Sequence, residues 1–428
     1  MERFDVAVVG AGPAGSSAAY SLAKSGYEVL LVERGNVPGQ KNMFGGRIYA
    51  YPLKRLMGED WKAAPMERFI TRENMIFLDE DSAVSLQYDS PEALESPAPS
   101  FTAIRGVFDR WLASKAEEAG AMLITGIKVD ALWRENGSVK GLIAGRDRVR
   151  ADMVVAADGA LSLMAKSAGM RGEMLPGEVS IGVKETVELS EKVIEERFNL
   201  GESEGAAYVF VGYATGWIPG GGFLYTNKST LSLGIVAKAE EVSLRRMEVQ
   251  DLMESFKLHP VVRRLVRGGK VVEYSSHLIP DMGLKMMPRV FGDGVLVAGD
   301  AAGFLLNNGY TFRGVDLAIA SGMAAADTYD LARQAGDFSA SNLRGYLDRL
   351  REHSVLEDLV TFRKTPEFLK NPRLYSSYPK LICNLAERIY AIDGRPKEKV
   401  ISSLLEEASR TISLRGVVAD LIRGALAM

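Results

Sequence analysis

The chain has 428 residues, of which 47% are hydrophobic and 25% are charged, and its formal net charge is −3. This length favours two or three lobes with sizeable cores, and the nearly balanced charge gives no sign of a nucleic-acid partner. A single cysteine, Cys383, excludes a disulfide framework and any cysteine-ligated zinc or iron–sulfur centre carried by this chain alone.

The N-terminal sequence MERFDVAVVGAG has no basic region, and its apolar run is too short for a signal peptide. The longest uncharged stretch, residues 206–227, contains Pro219 and several glycines. We interpret this stretch as sheet and turn rather than as a membrane span. The sequence therefore predicts a cytoplasmic protein whose contact with a membrane, if it has one, is peripheral.

The first predicted unit is a strand, a glycine-rich turn, a helix and a second strand in residues 4–33. Gly10, Gly12 and Gly15 give G-x-G-x-x-G at the strand-to-helix turn. This spacing permits a tight turn, close approach of a pyrophosphate and close helix–strand packing, and the helix N-terminus attracts phosphate. Glu33, 18 residues after Gly15, can accept hydrogen bonds from a ribose diol. The unit predicts a dinucleotide site; the alternative is a turn that binds nothing.

Two later apolar strands end in an aspartate, at Asp158 and at Asp300. Asp158 precedes Gly159 and a helix start, whereas Asp300 follows Gly299 and precedes a polar loop, residues 307–314. A plain NAD dehydrogenase is not expected to contain these strands, and no second G-x-G-x-x-G follows a strand, so no NAD(P)H domain is evident. Asp300 has a simpler alternative interpretation as a helix N-cap.

These features resemble the flavoprotein hydroxylase superfamily, which has the glutathione-reductase-type FAD fold. The resemblance implies that Asp300 hydrogen-bonds the ribityl chain and that the next helix directs its N-terminus at the flavin pyrimidine ring. It also implies FAD contacts at Arg105, otherwise a surface charge, and at Gly45 and Gly46, otherwise a turn. The implied FAD-binding residues are Gly10, Gly12, Pro13, Ala14, Gly15, Glu33, Arg34, Gly45, Gly46, Arg105, Val129, Asp158, Gly159, Gly299, Asp300, Gly309, Arg313 and Gly314.

A more specific resemblance rests on GVKETVELSEKVIEERFNL, GGGFLYTNKSTLSLGIV, SSHLIPDMGLKMMPRVFGDGVLVAGDAAGFLLNNGYTFRGVDLAIASG and KNPRLYSSYP. With these segments the whole chain resembles the geranylgeranyl reductase and electron-transfer-flavoprotein:quinone oxidoreductase group, and within it the FixC (EtfC) type. This implies FAD-dependent electron transfer from FixA/FixB-like electron-transfer flavoprotein subunits to a membrane quinone, menaquinone or ubiquinone. It leaves open whether the complex bifurcates electrons. The iron–sulfur centre would lie on a separate ferredoxin-like FixX subunit, which agrees with the single cysteine.

Gly220 and Gly221 match the glycine pair that contacts the quinone head in the quinone oxidoreductase, with Pro219 where that enzyme has a tyrosine. A hairpin turn at these glycines is a compatible alternative. We assign no catalytic side chain and no metal, because the flavin carries the chemistry. Two other functions stay open: a geranylgeranyl (prenyl-chain) reductase, and a non-catalytic protein with an FAD fold.

We therefore expect an α/β chain with a glutathione-reductase/flavoprotein-hydroxylase-type FAD-binding fold, an inserted β-sheet roof and a C-terminal helical region. The predicted divisions are a discontinuous FAD domain at 1–75, 100–170 and 275–330, a β-rich quinone domain at 76–99 and 171–274, and a helical region at 331–428.

Two amphipathic stretches, residues 375–392 and 411–428, predict helices that either pack on a core or lie on a membrane. Basic side chains between residues 363 and 373 form either a partner-docking patch or a solvated face. We expect the chain to be peripheral on the inner face of the cell membrane.

Overall fold

The computed structural model describes residues 2–40, 46–96, 99–280, 283–394, 396–397, 399–412 and 414–428. The strands are β1 (Arg3–Val9), β2 (Val29–Val32), β3 (Arg47–Tyr49), β4 (Phe69–Leu78), β5 (Ala83–Asp89), β6 (Ser100–Thr102), β7 (Met122–Ile124), β8 (Ala131–Glu135), β9 (Ser138–Ala144), β10 (Asp147–Ala156), β11 (Val179–Glu188), β12 (Glu204–Gly212), β13 (Gly220–Thr226), β14 (Thr230–Lys238), β15 (Lys270–Pro280), β16 (Phe291–Gly292), β17 (Val295–Val297), β18 (Leu306–Asn307) and β19 (Phe312–Arg313).

The α-helices are α1 (Pro13–Lys24), α2 (Tyr51–Met57), α3 (Arg105–Glu118), α4 (Leu163–Ser167), α5 (Glu191–Phe198), α6 (Ala239–Leu244), α7 (Val249–Leu258), α8 (Pro260–Val266), α9 (Val315–Ala335), α10 (Ala340–Leu343), α11 (Tyr346–Glu352), α12 (Leu356–Thr361), α13 (Thr365–Phe368), α14 (Ser377–Tyr390), α15 (Val400–Thr411) and α16 (Leu414–Ala427). Within the described residues, no helix is long and apolar enough to cross a membrane.

The first sheet has eight strands, with the main order β16-β17-β10-β1-β2-β7. Strands β17, β10, β1, β2 and β7 are parallel, which explains why β2 is a continuous apolar run that is buried along its whole length. Helix α1 connects β1 to β2 and packs on the long helix α9. The carboxyl ends of these parallel strands meet at one edge, where ligands of such folds bind.

The second sheet has nine strands, in the order β15-β11-β14-β13-β12-β4-β6-β3, with β5 paired to β4. One face packs on helices: a Cβ at Gly222 would lie 2.6 Å from the Phe256 ring in α7. We call the opposite face the inner face. It includes Tyr225 of β13 and, through the pairing of β14, β11 and β15, the side chain of His277. The charge of His277 acts on Asp300 in the turn after β17, so this face is turned toward the first sheet. The second sheet therefore covers the region next to the first sheet.

Small residues allow α1 and α9 to approach closely. A Cβ at Gly322 in α9 would lie 2.2 Å from the carbonyl oxygen of Ala14 in α1. Ser321 accepts a hydrogen bond from the backbone N–H of Gly299 at 2.9 Å. The start of α1 and the turn after β17 are thereby held side by side.

The chain after α9 is helical, and its last helix is attached by specific contacts. Arg373 donates two 2.7 Å hydrogen bonds to Asp420 of α16, and Tyr378 donates a third to the same carboxylate at 2.8 Å. The mixed α/β architecture with its covering sheet and helical C-terminal region confirms the predicted fold class. The boundaries given for the three domains stay a prediction.

Candidate functional site

The glycine-rich turn after β1 contains glycines with two different roles. A Cβ at Gly10, where φ is +97°, would lie 2.4 Å from the carbonyl oxygen of Ala157, and a Cβ at Gly15 would lie 1.9 Å from that of Gly10. Packing within the chain therefore requires these two glycines. Gly12 differs, because φ is −77° and a Cβ there would meet nothing within 4 Å. The open space at Gly12 fits close approach of a ligand.

The N-terminus of α1 lies beside this open space. Gly12 provides no side-chain cap, Pro13 opens the helix, and the first turn contains no acidic residue. Backbone N–H groups at such a terminus lack intrahelical partners and attract an anion. The turn is therefore suited to a pyrophosphate, with Ala14 and Gly15 in its buried first turn.

Glu33, at the end of β2, holds the loops on either side of the turn. Its Oε2 accepts from the backbone N–H of Ala11 at 3.0 Å, and its Oε1 accepts from that of Gly35 at 2.7 Å. A carboxylate oxygen can accept more than one hydrogen bond, so a ribose hydroxyl can still bind there. Arg34 next to it is exposed, and Val129 is buried.

Asp158, after β10, has one buried oxygen without a partner. Its Oδ2 accepts from the backbone N–H of Met164 at 3.0 Å, whereas its Oδ1 is buried without a hydrogen bond from any residue that the structure describes. Burial raises the pKa of Asp158, although nearby backbone N–H groups and Arg34 act in the opposite direction. Gly159 follows with φ at +77°. A buried unpaired acceptor of this kind indicates a missing donor.

Asp300 lies in the turn after β17 and keeps part of its surface accessible. Among the described residues, no side chain or backbone N–H donates a hydrogen bond to its carboxylate. Burial raises the pKa of Asp300, and the positive charges of Arg105 and His277 oppose that rise. Gly299 before it has φ at +62°, and a Cβ there would lie 2.8 Å from that of Ala14. Asp300 is therefore fixed next to the start of α1.

Arg105 at the start of α3 is buried rather than a surface charge. Its Nε and one terminal nitrogen donate to the two carboxylate oxygens of Asp109 at 2.9 and 3.0 Å. Asp109 is also fully buried. The ion pair orients the guanidinium near Asp300, whose charge acts on the pKa of Arg105. Sequence reasoning missed Asp109, although its spacing of four residues on one helix was a usable signal.

The loop before α9 is held largely by contacts within the protein. Arg313 donates to Asp316 at 2.7 Å and to the Tyr51 hydroxyl at 3.0 Å, and it also pairs with Asp358. These contacts account for Arg313 structurally, and its assignment to the cofactor stays a prediction. The same holds for Gly309, with φ at +89°, and for Gly314, where a Cβ would lie 2.4 Å from Leu305.

Gly46, at the inner face, accepts a hydrogen bond at its carbonyl from the N–H of Ala103 at 2.8 Å. Its neighbour Gly45 lies outside the described residues. Nearby, the Tyr49 hydroxyl is buried without a hydrogen-bond partner, and the Arg47 guanidinium lies 4.7 Å from the centre of its ring. These contacts place polar groups at the β3 end of the second sheet.

The inner face has a polar edge formed by β11 and β15. Lys184 and His277 both lie on this face. Lys184 and Gly182 are two residues apart on β11, so their side chains point to the same side of the sheet. Lys184 pairs with Gly234 of β14, and Gly182 pairs with His277 of β15. Burial lowers the pKa of both side chains. His277 and Asp300 influence each other's charge. Sequence reasoning missed both residues, because only the folded sheet brings them to the site.

The rest of the inner face is an accessible apolar surface. Along β12 and β4 the side chains of Val209, Val211, Met75 and Phe77 are partly exposed, whereas the intervening residues are buried. Val236 on β14 is also partly exposed and pairs directly with Gly221. We call these five valine, methionine and phenylalanine side chains the apolar inner surface.

Gly220 and Gly221 start strand β13 and do not form a hairpin turn. A Cβ at Gly220 would lie 2.2 Å from the carbonyl oxygen of Val236, and one at Gly221 would lie 2.8 Å from that of Phe210. Strand packing alone therefore explains both glycines. Their assignment to a quinone stays a prediction.

The residues at the carboxyl edge of the first sheet fit FAD. The open space at Gly12 suits the pyrophosphate, and neither Asp158 Oδ1 nor the carboxylate of Asp300 accepts a hydrogen bond from a described residue. Glu33 lies at the end of β2, where a ribose is bound in dinucleotide folds. Within the described part of the chain, no group of three or more His, Cys, Asp or Glu side chains is arranged to hold a metal.

Comparison with known proteins agrees with this site. Residues 3–199 match the model of an FAD binding domain, and residues 365–428 match the ETF-QO/FixC family C-terminal domain. The chain resembles a geranylgeranyl bacteriochlorophyll reductase-like protein (Ta0516) from Thermoplasma acidophilum, with a TM-score of 0.72 and 21% identity over 99% of this chain and 100% of that one. It also resembles the myxobacterial halogenase CndH, with a TM-score of 0.66 and 16% identity over 98% and 92% of the chains. At this identity these two structures show the fold alone.

The fold and the site define an FAD-dependent oxidoreductase. The chain is 43% identical to the probable electron transfer flavoprotein-quinone oxidoreductase YdiS of Escherichia coli (strain K12), over 100% of this chain and 99% of that protein. It is 44% identical to Protein FixC of the same organism, over 98% of each. It therefore belongs to the ETF-QO/FixC family, as its sequence motifs predicted.

Proposed function

We propose that this chain carries electrons through bound FAD from an electron-transfer flavoprotein to a membrane quinone. FAD, when bound, supplies the redox chemistry, and the side chains hold it, set the charge around it and admit the acceptor. The names of the relatives support this assignment, because YdiS is described as a probable electron transfer flavoprotein-quinone oxidoreductase.

The apolar inner surface is the observation that best supports a quinone as acceptor. Val209, Val211 and Val236 keep some accessible surface on the inner face, the face that also contains His277 beside Asp300. An accessible apolar wall next to a few polar groups is the usual form of a site for an apolar small molecule. A quinone head with an isoprenoid tail matches this chemistry.

The polar edge of the inner face sets the charge around the cofactor. Lys184 is buried, and none of the described residues forms a hydrogen bond with its ammonium group. Burial lowers the pKa of Lys184, the positive charge of Arg105 lowers it further, and Glu273 acts in the opposite direction. Positive charge concentrated there favours an anionic ligand.

A bulky side chain in the apolar inner surface tests the quinone assignment. A change at Gly221 itself would disturb the strand, so we choose Val236→Phe, directly across the strand pair. We expect this variant to retain FAD but to reduce a menaquinone analogue about tenfold more slowly or worse, because small displacements of a reacting group are costly in rate.

The matched control is Val272→Phe on the edge strand β15, where the side chain is 51% exposed. This variant should reduce the analogue at the parent rate. Both variants are first reduced with dithionite, so that the measurement does not depend on the flavoprotein partner. If Val236→Phe binds FAD and matches the control, the quinone binds elsewhere.

A prenyl-chain reductase is the second candidate, because the apolar inner surface would suit an isoprenoid chain equally well. The two functions differ in what reoxidises the reduced protein. A menaquinone analogue should do so under the proposed function, and a geranylgeranyl substrate should not. The reverse result would identify a prenyl-chain reductase.

The proposed complex also includes FixA/FixB-like flavoprotein subunits and a ferredoxin-like FixX subunit, and the chain would lie on the inner face of the cell membrane. Cys383 is the one cysteine in the sequence, so an iron–sulfur centre must come from another polypeptide. We expect iron and acid-labile sulfide in a co-purified complex and not in the isolated chain. About four irons per isolated monomer would contradict this arrangement.

A further inference from the structure

A cleft of ≈ 870 Å³ lies between α13, α16 and the turn that contains Leu284. Its lining residues are not among those assigned to the cofactor or to the apolar inner surface, although it borders the loop of Gly309, where a Cβ would lie 3.9 Å from the sulfur of Met428. Its apolar lining includes Leu284, Phe368 and Leu426, and basic side chains lie around these. We call it the C-terminal cleft.

Three cations of the C-terminal cleft have no partner among the residues that the structure describes. Lys285, Lys364 and Arg423 are exposed, and none forms an ion pair or a side-chain hydrogen bond with another described residue. Glu367, the one acid among the described lining residues, is paired with Lys370 at 3.5 Å. The cleft therefore presents uncompensated positive charge, which favours an anion such as a phosphate group.

Helix α16 is fixed with its apolar side away from the protein. Asp420 binds Arg373, a Cβ at Gly424 would lie 3.0 Å from the Phe368 ring, and the carbonyl of Ala427 accepts a hydrogen bond from Thr365. These residues recur at helical spacing and define the attached face. The opposite face exposes Val418 (50%), Leu421 (67%), Ile422 (57%) and Leu426 (67%).

We propose that the C-terminal cleft binds the phosphate headgroup of an anionic phospholipid, with an acyl chain against Leu284, Phe368 and Leu426. The free cations match the headgroup, and the exposed apolar side of α16 matches the lipid surface beside it. An acidic protein segment would pair with the cations but would leave the apolar row of α16 uncovered. This inference rests on the proposed function only in one respect: transfer of electrons to a membrane quinone explains why the chain would bind a lipid surface.

Vesicle flotation tests the proposal without any quinone. The whole chain with bound FAD is mixed with vesicles of phosphatidylcholine alone or with added phosphatidylglycerol. We expect at least about tenfold tighter binding to the anionic vesicles, and loss of most of that preference in the double variant Lys364→Glu/Arg423→Glu. Leu421→Ser/Ile422→Ser should weaken binding to both kinds of vesicle.

The charge-matched control is Arg146→Glu/Arg344→Glu, at two exposed arginines outside the cleft with no ion pair to a described residue. It should bind anionic vesicles nearly as well as the parent, with a loss of less than about threefold from the change in net charge. All variants must keep the parent flavin content and melting temperature. If Lys364→Glu/Arg423→Glu fails to fold, Lys285→Ala and Lys364→Ala test the same cleft, because they remove a positive charge without adding a negative one.

Three results would overturn the proposal. The first is equal binding of the parent to neutral and anionic vesicles, and the second is equal loss in the cleft and control variants. The third is a double variant in the cleft that keeps its vesicle preference but loses a co-purifying acidic protein, which would make the cleft a protein-docking site.

A separate measurement uses inorganic phosphate alone. If phosphate binds the cleft while vesicles do not, the ligand is free phosphate. Because flotation needs no redox reaction, it can succeed or fail independently of quinone reduction.

Discussion

Gly12 in the first turn and Gly221 in the second sheet were both assigned to ligands, yet their surroundings differ. A Cβ at Gly221 would lie 2.8 Å from the carbonyl oxygen of Phe210, whereas a Cβ at Gly12 would meet nothing within 4 Å. Protein packing explains the glycine at 221 and does not explain the glycine at 12. The open space at Gly12 agrees with our assignment of this residue to the cofactor.

The same distinction separates two aspartates. Asp420 is held by Arg373 and Tyr378, so contacts within the chain account for it. The carboxylate of Asp300 has no hydrogen bond from a described residue, and its burial raises its pKa. A residue whose environment is incomplete without a ligand is the better candidate for a binding role. Substitutions at the two kinds of position should therefore affect different measurements.

The largest effect is expected from Gly15→Ala, which changes both folding and binding. The added Cβ would lie 1.9 Å from the carbonyl oxygen of Gly10, and this backbone atom cannot move away as easily as the end of a flexible side chain. Overpacking of this kind destabilises by about 1–3 kcal/mol or more. We expect a lower melting temperature of the apoprotein and almost no retained flavin. A variant with the parent melting temperature would show that the turn can relax.

Gly12→Ala should separate the two effects, with Gly221→Ala as its counterpart. At Gly12 we expect the free energy of unfolding of the apoprotein to change by no more than about 1 kcal/mol, as for a changed N-cap. FAD binding should weaken at least tenfold, because the methyl group occupies the space for the pyrophosphate. At Gly221 we expect about 1–3 kcal/mol of destabilisation with FAD affinity largely kept. Urea unfolding measures the free energy of unfolding of each variant, and flavin titration measures its affinity for FAD. If the two variants lose stability and FAD affinity to the same extent, Gly12 and Gly221 do not differ in role.

The sequence predicted the turn at Gly10, Gly12 and Gly15 because its requirements are local. One strand, one turn and one helix define that geometry, and periodicity reveals all three. The sequence did not predict that Gly220 and Gly221 lie inside a strand, because the atoms that crowd them belong to Val236 and Phe210 on neighbouring strands. A string of glycines resembles a turn until its strand partners are known.

Long-range contacts also explain what was missed around Asp300. The apolar strand that precedes Asp300 was enough to predict this aspartate from the sequence. His277 could not be predicted in the same way, because the pairing of β15 with β11 brings its charge close enough to act on Asp300. The partner of Arg105 is the exception, because Asp109 lies on the same helix and its spacing of four residues was a usable local signal. The sequence therefore predicted residues at the ends of strands better than the side chains brought to them by the second sheet.

Asp300→Asn should bind FAD about tenfold less tightly, since hydrogen bonds to charged groups contribute about 1.5–3 kcal/mol and the amide keeps part of that. The apoprotein should respond differently. Because burial raises the pKa of Asp300, the folded state binds its proton more tightly than the unfolded state. The resulting stability is fully present below the unfolded pKa of about 3.9 and is lost as pH rises through the folded pKa.

Asparagine has no such proton, so the apo variant should be more stable than the apo parent at pH 7. The difference should narrow as pH is lowered toward about 4. Thermal unfolding of both apoproteins across this range, together with flavin titration at pH 7, measures the two effects. Equal FAD affinity in parent and variant would remove Asp300 from the cofactor site.

The smallest effect is expected from Asp420→Asn, and it should remain confined to α16. Hydrogen bonds from Arg373 lower the pKa of Asp420 to about 2, so its stabilising charge is present above the unfolded pKa and is lost as pH falls toward about 2. Removing the charge should cost about 1–1.5 kcal/mol, at or just below the lower limit of the range for charged hydrogen bonds, because Arg373 is 38% exposed. We expect faster hydrogen exchange in α16 at pH 7 with unchanged FAD affinity.

Asp348→Asn, in the exposed pair with Arg351, is the control that should leave α16 as protected from hydrogen exchange as in the parent. Because contacts within the chain account for Asp420, a loss of flavin in Asp420→Asn would contradict the division between residues that serve the chain and residues that serve a ligand.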